Sequence, residues 1–262
     1  MSGQILAISS QVAYGPVGNS ATAPALESLG FTVLQVPTTI LSFHPGHGKP
    51  AGLRVAARDM KAVFAALLDK GMLNACAGIF TGYFASADQV SAAAEIIRVL
   101  KKERPALRYF CDPVMGDDPG GLYVPLEVAE AIHTDLIPLA DFIAPNRFEL
   151  FWLAGEKIRN TAEALAAARA LGDFEVLATS IPGEAGALAT LAVRKGEAAT
   201  HASARLENVP HGTGDLLSGL YFGHRLLGEE PGAALEASMA RLGKVIAASA
   251  GSAALELRKG FA

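Results

Sequence analysis

Short apolar runs alternate with amphipathic stretches along this chain, and this alternation limits the folds that it can adopt. The apolar runs have the length of buried strands and lie at 5–8, 31–36, 77–80, 107–111, 142–144, 176–178 and 187–193. Helical periodicity occupies 18–29, 54–70, 86–103, 125–133, 146–153, 160–171, 213–228 and 231–257. Strands separated by helical segments are typical of repeated βαβ units. The pattern predicts an α/β protein with a mainly parallel central sheet that helices cover on both faces.

The composition favours one folded domain and excludes two classes of protein. Hydrophobic residues make up 51% of the 262 positions, which is too apolar for a disordered chain. The net charge of −4 argues against a protein whose main role is binding the nucleic-acid backbone. Because the sequence contains no repeat, low-complexity tract or linker, residues 1–262 are predicted to form a single domain.

Two features predict a cytoplasmic location. Cys76 and Cys111 lie in separate apolar runs, as buried free thiols of a reducing compartment would. Residues 1–26 carry no charge, but they lack the basic start of a signal peptide. Polar residues and prolines interrupt this stretch too often for a membrane span.

Polar residues follow most of the predicted strands. Ligands of open parallel sheets bind beyond the carboxyl ends of the strands, so these residues are the first candidates for chemistry. The set includes two carboxylates and consists of Ser9, Ser10, Thr38, Thr39, Thr81, Gly82, Tyr83, Asp112, Asn146, Glu149, Thr179 and Ser180. The irregular segments 37–50 and 112–125 adjoin these positions, and we expect both to be functional loops or lids.

The strongest local motif surrounds the start of a predicted helix. Gly212, Thr213 and Gly214 precede this helix, and Asp215 lies in its first turn. Small residues at a helix start leave backbone N–H groups open to an anion, and the helix dipole adds positive potential. A carboxylate that accepts a hydroxyl proton beside such N–H groups is a phosphotransferase arrangement. A tight entry turn followed by a helix-stabilising acid explains the same residues without any catalytic role.

Four segments together resemble the pyridoxal kinases of the ribokinase superfamily, over nearly the whole chain. They are Ala7-Ile-Ser-Ser-Gln-Val-Ala-Tyr-Gly15 with Gly18-Asn19, Phe110-Cys-Asp-Pro-Val-Met-Gly-Asp117, Ala144-Pro-Asn-Arg-Phe-Glu149 and Gly212-Thr-Gly-Asp215. The resemblance implies a three-layer α/β/α ribokinase-like fold and a homodimer. It also implies ATP-dependent phosphorylation of the 5′-hydroxyl of pyridoxal, and of pyridoxine and pyridoxamine.

The same resemblance implies a role for each matching position. Asp215 would take the proton of the acceptor hydroxyl, and the amides of Gly212, Thr213 and Gly214 would stabilise the phosphoryl group in transfer. Mg²⁺ would be held by Glu149 and Asp112, and K⁺ is a further candidate cation. The other nucleotide-side positions would be Ala144, Asn146, Thr179, Ser180, Tyr123, Asn208 and Val209. The acceptor-side positions, besides Asp215, would be Ser10, His44, Pro45, Gly46 and Tyr83.

Departures from the family pattern keep two other functions open. Residues 43–46 (Phe-His-Pro-Gly) differ from the usual Ser-Asn-His-Thr run, and Gln11 stands where the family often has His. A hydroxymethylpyrimidine kinase has a similar fold but typically a Cys where this chain has Asp215. A non-catalytic protein that binds B6 vitamers is the second alternative.

Several candidate residues also have ordinary structural explanations. Asp112 could form a turn at a strand end. Asn146 is a good helix N-cap, and Glu149 could lie on an ordinary helix face. His44 and His47 could form a metal pair, but their loop supplies no third ligand. The sequence indicates no role for His211.

Overall fold

The computed structural model describes residues 3–261, in which a nine-stranded sheet forms the middle layer. Residues 1, 2 and 262 of the predicted domain lie outside this range. The strands are β1 (Gln4–Tyr14), β2 (Thr32–Phe43), β3 (Gly52–Arg54), β4 (Cys76–Thr81), β5 (Arg108–Cys111), β6 (Gly116–Asp117), β7 (Gly121–Leu122), β8 (Phe142–Ile143), β9 (Glu175–Pro182), β10 (Leu188–Arg194) and β11 (Glu197–Ser203). The sheet order is β11-β10-β9-β8-β5-β4-β1-β2-β3, and β6 pairs with β7 separately.

The central strands of the sheet are parallel, as the alternation of runs predicts. Parallel pairing extends from β2 through β1, β4, β5 and β8 to β9. Antiparallel strands lie only at the edges, where β3 pairs with β2 and where β10 and β11 follow β9. Strands that are buried on both faces need apolar residues at successive positions, which the Ile5–Ile8 run of β1 supplies.

Helices cover both faces of the sheet. They are α1 (Asn19–Glu27), α2 (Ala57–Asp69), α3 (Ala87–Glu103), α4 (Leu126–Ala131), α5 (Arg147–Ala154), α6 (Thr161–Leu171), α7 (Thr213–Leu226), α8 (Pro231–Ala248) and α9 (Leu257–Phe261). One buried cluster contains residues of α2 to α6, and the other contains residues of α1, α7 and α8 with α9 against it. The predicted three-layer α/β/α arrangement is confirmed.

Aromatic stacking attaches α7 to the middle of the sheet. Phe80, Phe110 and Phe142 follow one another across β4, β5 and β8, with ring centroids 5.4 and 6.0 Å apart. Phe222 of α7 packs on Phe110 at 5.2 Å. Such aromatic contacts stabilise a core beyond the area that they bury. The helix with the glycine motif is therefore anchored to the strands whose ends carry the polar residues.

Strand β1 extends six residues past the predicted run, and β2 likewise continues to Phe43. The register between them shifts between Ser9 and Gln11, so Ser10 lies at an irregularity inside the strand instead of beyond its end. The segment 37–50 was expected to be irregular, but its first half is β2 and β3 returns beside it. Its β-branched and aromatic residues suit a strand, and pairing with β1 decides between strand and loop.

Two further expectations are wrong, and one strand was not predicted. Residues 112–125 contain the β6–β7 hairpin, and 197–203 form β11 although this stretch shows no apolar alternation. Pairing with β10 supplies the stability that the β11 sequence lacks. The last helix was expected to run over 231–257, but α8 ends at Ala248. There the Ser249 hydroxyl donates to the Val245 carbonyl and accepts from the Glu256 N–H, which turns the chain.

Within residues 3–261, no helix is both long and apolar enough to cross a membrane.

Candidate active site

The carboxyl ends of β5 and β8 meet the first turn of α7, and three carboxylates lie there. Asp112 follows β5 and is 8% exposed, while Asp215 lies in the first turn of α7. The hydroxyl of Ser218, one turn further along α7, donates to Asp112 Oδ2 at 2.8 Å. Burial, followed by the charge of Asp215, raises the pKa of Asp112 to about 8. The two acids therefore lie close enough to interact.

Backbone geometry leaves the start of α7 without a side-chain cap. Gly212 is the N-cap residue and has φ of 99°, a left-handed conformation that favours glycine. A Cβ at this position would overlap the carbonyl oxygen of Pro16. Gly212 has no side chain that could accept from the first N–H groups of α7, and Gly214 is exposed. These N–H groups can therefore bind an anion.

Opposing influences act on Asp215 itself. Burial raises the pKa of its carboxyl to about 6, although the N–H groups of Gly18 and of Asp215 itself donate to it and lower the value. The Asp215 carbonyl accepts from the hydroxyl of Thr22 at 3.2 Å, which joins α7 to α1. At neutral pH this carboxylate is ionised, and it is a stronger base than an exposed aspartate.

Glu149 is held by backbone N–H groups on two sides. It is 3% exposed, and its oxygens accept from the N–H groups of Met115 and Asn146, both at 2.9 Å. The Asn146 side chain accepts from the Glu149 N–H in return, which forms a capping box at the start of α5. Asn146 is thus an N-cap, but Glu149 points into the buried site and not along an exposed helix face. Burial, followed by the charge of Asp112, raises the pKa of Glu149.

Asp112 and Glu149 could share a divalent cation. Both are buried carboxylates whose pKa values are raised, so a bound cation would favour their ionised forms. Residues 3–261 contain no group of three or more His, Cys, Asp or Glu arranged for a metal ion. A cation here would therefore complete its ligands with phosphate oxygens and water, as Mg²⁺ usually does.

Tyr123 belongs to the same neighbourhood. The residue is 56% exposed, and its phenol lies near enough to Glu149 and Asp112 for their charges to act on it. Burial of the phenol, followed by these charges, raises its pKa.

The remaining nucleotide-side positions lie at different depths. Thr179 forms an isolated parallel bridge with Asn146, and its N–H donates to the Pro145 carbonyl at 3.0 Å. Ala144 is buried and pairs through its N–H with the Cys111 carbonyl. Ser180 is exposed, with φ of 58°. Asn208 and Val209 lie in the connection between β11 and α7, and no hydrogen bond within residues 3–261 joins them to the three carboxylates.

Acceptor-side positions gather around the β1 irregularity. A Cβ at Gly18 would overlap Ser10 Oγ, so Ser10 and the Gly18 N–H that reaches Asp215 are neighbours. The Tyr83 N–H donates to Ser9 Oγ at 3.1 Å, and its carbonyl accepts from Thr38 Oγ1 at 2.7 Å. Burial raises the pKa of the Tyr83 phenol, which the charge of Arg54 lowers in part.

The loop between β2 and β3 reaches the start of α7. Pro45–His47 forms one turn of 3₁₀-helix after His44. The rings of His44 and His211 lie 4.1 Å apart, and a Cβ at Gly46 would overlap His211 Nε2. His211 was left without a role by the sequence, and it is the point at which this loop contacts the glycine motif.

Sequence reasoning missed two further residues of this site. Gly18 donates to Asp215 through its N–H, and Ser218 donates to Asp112. Ser218 lies three positions after Asp215, a spacing that places both on one face of a helix and could have identified it. The contact made by Gly18 depends on tertiary structure and has no comparable signal.

Comparisons with known proteins agree with this geometry. A family model described as phosphomethylpyrimidine kinase matches residues 53–257. Pyridoxal kinase PdxY of Rubrobacter xylanophilus is 36% identical over 231 residues, which cover 86% of this chain and 80% of that protein.

Solved structures give the same result. Pyridoxal kinase from Entamoeba histolytica has a TM-score of 0.92 at 27% identity, over 100% of this chain and 95% of that one. Pyridoxal kinase from Leishmania donovani, solved with ADP and pyridoxine, has a TM-score of 0.89 at 28% identity, over 98% and 94% of the two chains. Because the match to pyridoxal kinase PdxY spans most of both sequences and the ribokinase-like fold is shared with solved pyridoxal kinases, this chain belongs to the pyridoxal kinase family.

Proposed function

We propose that this chain transfers the γ-phosphoryl group of ATP to the 5′-hydroxyl of pyridoxal, pyridoxine and pyridoxamine, and so makes pyridoxal 5′-phosphate from pyridoxal. One observation carries the proposal. A partly buried carboxylate, Asp215, lies in the first turn of a helix whose N-cap residue, Gly212, makes no side-chain hydrogen bond to the helix. The named relatives are pyridoxal kinases, and the Leishmania donovani enzyme was solved with both ADP and pyridoxine.

Asp215 acts as the base in this reaction. Its pKa of about 6 keeps it ionised at neutral pH and basic enough to accept the hydroxyl proton as transfer proceeds. The acceptor oxygen forms a bond to the γ-phosphorus while the bond from that phosphorus to the β,γ-bridging oxygen breaks, and ADP leaves. Phosphoryl transfer through a loose transition state needs orientation more than base strength. The Gly18 N–H supports that orientation, because it holds the carboxylate from the side of Ser10.

The amides of Gly212, Thr213 and Gly214 form the anion hole. They stabilise the negative charge on the equatorial oxygens of the phosphoryl group in transfer. The left-handed Gly212 packs against the Pro16 carbonyl, which fixes the direction of these N–H groups before substrate arrives. Preorganised donors need no rearrangement during the reaction, and this is the source of their effect.

Asp112 and Glu149 would hold Mg²⁺ on the nucleotide side, with Asn146 beside them. The donor set fits, because two buried carboxylates with raised pKa values supply hard oxygen ligands and leave room for phosphate and water. The chemistry that Mg²⁺ would supply here is neutralisation of the phosphate charge of ATP. Replacing K⁺ by Na⁺ in the assay below tests whether K⁺ is a second cation.

Two groups of residues receive the substrates. Ser10, Tyr83 and the loop residues His44, Pro45 and Gly46 surround the vitamer, with the Ser10 hydroxyl toward the pyridine ring. The nucleotide lies along the other strand ends, beside Ala144, Thr179, Ser180, Tyr123, Asn208 and Val209. This division is supported by the position of Asp215 between the two groups.

Release of ADP with Mg–ATP tests the function directly. We expect turnover with pyridoxal, pyridoxine and pyridoxamine, and little with hydroxymethylpyrimidine. Turnover with the pyrimidine alone would keep the mechanism and replace the acceptor. Saturable vitamer binding without any ADP release would contradict the enzyme and favour a binding protein.

We also propose a cytoplasmic homodimer. Cys76 and Cys111 are free, buried thiols, as expected in a reducing compartment. The β2–β3 extension exposes the large apolar residues Ile40 and Leu53, which a second copy could cover. Light scattering after gel filtration should give twice the mass of one chain. The mass of a single chain would contradict the dimer.

A further inference from the structure

Three histidines from distant parts of the sequence meet beside the glycine motif. The ring centroids of His44 and His211 are 4.1 Å apart with planes inclined by 32°, and those of His47 and His211 are 5.7 Å apart and nearly perpendicular. The Tyr14 ring, at the end of β1, meets His47 edge-on at 6.0 Å. Residues 3–261 contain no metal-binding group of three such ligands, so the rings contact one another and do not surround a shared ion.

The loop of residues 44–48 depends on His211 for much of its attachment. Pro45, Gly46, His47 and Gly48 are all exposed. Gly46 lies so close to His211 that a Cβ there would overlap Nε2. Inside the loop, the Gly46 N–H donates to Nδ1 of His44 at 3.0 Å, which turns the His44 ring toward His211. The His211 ring is thus the surface on which this exposed loop packs.

The histidine cluster also connects the parts of the acceptor site. His211 immediately precedes Gly212, and Asp215 follows it within one helical turn. Tyr14 ends the strand that carries Ser10. A ring at position 211 can therefore set the distance between the loop and the base.

We propose that His211 is a positioning residue, whose ring holds the loop of residues 44–48 over the acceptor beside Asp215 only while the clustered imidazoles are neutral. The inference rests on the proposed function, since it concerns how the same site holds its vitamer. His211 touches no reacting atom in this account. It acts through His44 and Gly46.

Electrostatics supports the requirement for neutral rings. Burial, followed by the charges of His211 and His47, lowers the pKa of His44 to about 4. Burial also lowers the pKa of His211, and the charge of His47 is a second, smaller cause. These shifts come from burial and from the other histidines, and not from Asp215 at the start of α7. The Tyr14 ring, at the end of β1, also faces the histidine cluster.

The sign of the pH effect follows from linkage. In the packed loop His44 has a pKa of about 4, whereas a released His44 has its ordinary value of 6.5. The packed state binds fewer protons, so packing is favoured above pH 6.5 and is lost as the pH falls from there toward 4. For this one group, the equilibrium constant for loop packing should fall about tenfold from about pH 7.5 to about pH 5.5, and vitamer binding that needs the packed loop should weaken by up to that factor.

Calorimetric binding of pyridoxine at these two pH values tests the inference. In wild type we expect binding to be weaker at the lower pH, by up to about tenfold. His211→Ala should bind more weakly at the higher pH and lose most of the pH dependence, because His44 is no longer covered. The double variant His44→Phe/His211→Phe keeps stacked rings without these two charges, so it should bind more tightly than His211→Ala and show a smaller ratio of affinities between the two pH values than wild type. Asp215 and pyridoxine titrate in every variant. Their effect therefore cancels when the ratio of affinities at the two pH values is compared between variants.

Controls separate positioning from loss of structure. His133→Gln, which removes a ring that packs on Trp152, should retain the wild-type pH dependence. Thermal melting identifies any variant that fails to fold. If His211→Ala fails to fold, the double variant still tests the role of His211. An unchanged pH ratio in the double variant would overturn the inference. ADP release by wild type at the higher pH distinguishes the two proposals. Its absence would contradict the proposed function. Turnover by wild type, together with an unchanged ratio of affinities in the double variant, would contradict only the role of His211.

Discussion

At the residue scale, the surroundings of Asp215 determine what its carboxylate can do. The N–H groups of Gly18 and of Asp215 itself stabilise its charge, while burial opposes it and raises the pKa to about 6. A first-turn aspartate in water would be a weaker base, because the helix dipole favours its ionised form. Tertiary burial therefore converts a residue that is common in helix starts into a useful base.

Replacing the carboxylate should abolish turnover while substrates still bind. We expect Asp215→Asn to lower kcat by about 10²–10⁴-fold, since the amide keeps the shape but cannot accept the proton. The KM values and the calorimetric affinity for pyridoxine should change much less. Asp59→Asn, which changes an exposed first-turn aspartate of α2, serves as the matched control. Turnover near the wild-type rate in Asp215→Asn would show that another group is the base.

The pH profile of kcat should report the same carboxylate. Asp215 is active only when ionised, so with a pKa of about 6 the rate should be level above neutrality and fall on the acid side of that value. The limiting slope is about tenfold per pH unit. Initial rates at saturating substrates between about pH 5 and 8 measure it. A level profile down to the acid end, or the same acid limb in the residual activity of Asp215→Asn, would contradict the assignment.

Gly18 should be irreplaceable, for steric reasons. Its φ is 56°, and a Cβ would overlap Ser10. Gly18→Ala should cost more than about 1 kcal/mol of folding free energy and lower turnover, because the shifted N–H no longer holds Asp215. Gly243→Ala, in α8 with no atom near the added Cβ, should instead stabilise the protein by about 0.5–1 kcal/mol. Urea unfolding of both variants measures these changes, and equal effects would show that the strain at Gly18 is unimportant.

At the element scale, a buried ion pair holds α7 against the sheet. Glu175 of β9 is 4% exposed and accepts from Arg225 Nε at 2.8 Å and from the Tyr221 hydroxyl at 2.6 Å. The Arg225 guanidinium also lies over the Phe142 ring, 5.8 Å from its centroid. These contacts act at the end of α7 opposite Asp215, so they fix the direction in which the first turn points.

Breaking this pair should destabilise the fold. Arg225→Met leaves Glu175 buried without its partner, which should cost about 3–5 kcal/mol. The double variant Glu175→Gln/Arg225→Met removes the unpaired charge and should recover part of that loss. Urea unfolding followed by circular dichroism gives both values. A loss below about 1 kcal/mol in the single variant would mean that the pair contributes little.

At the scale of the whole molecule, the two buried clusters share one sheet. Leu6 and Ile8 of β1 face one cluster, and Ile5 faces the other. Removing the helices from one face would expose the strands on which the helices of the other face also pack. This arrangement favours cooperative unfolding, in keeping with the predicted single domain.

Unfolding in urea should therefore show one transition. Trp152, on α5, is the sole tryptophan and packs against the cluster formed with α2 to α6. Its fluorescence should change at the same urea concentration as the far-UV circular dichroism, to which α7 and α8 contribute. Arg225→Met, which weakens the other face, should move both curves together. A separate, earlier transition for either probe would indicate two independently folding units.

Sequence periodicity determined the layers of this protein, because strands buried on both faces need continuous apolar runs and covering helices need an apolar stripe. The glycine motif and Asp215 were equally visible, since capping and dipole effects act within one turn. The same holds for Asn146 and Glu149, whose capping box spans four residues.

Tertiary structure alone decided the rest. Strand β11 and the extension of β1 and β2 form because a neighbouring strand supplies hydrogen bonds, and no local pattern encodes that partner. The Gly18 contact with Asp215, and the meeting of His44 with His211, join residues far apart in the sequence. The pKa values of Asp112 and Asp215 depend on burial, which exists only once both layers have packed. Local interactions thus placed the reactive groups on their elements, and packing determined their distances and their charges.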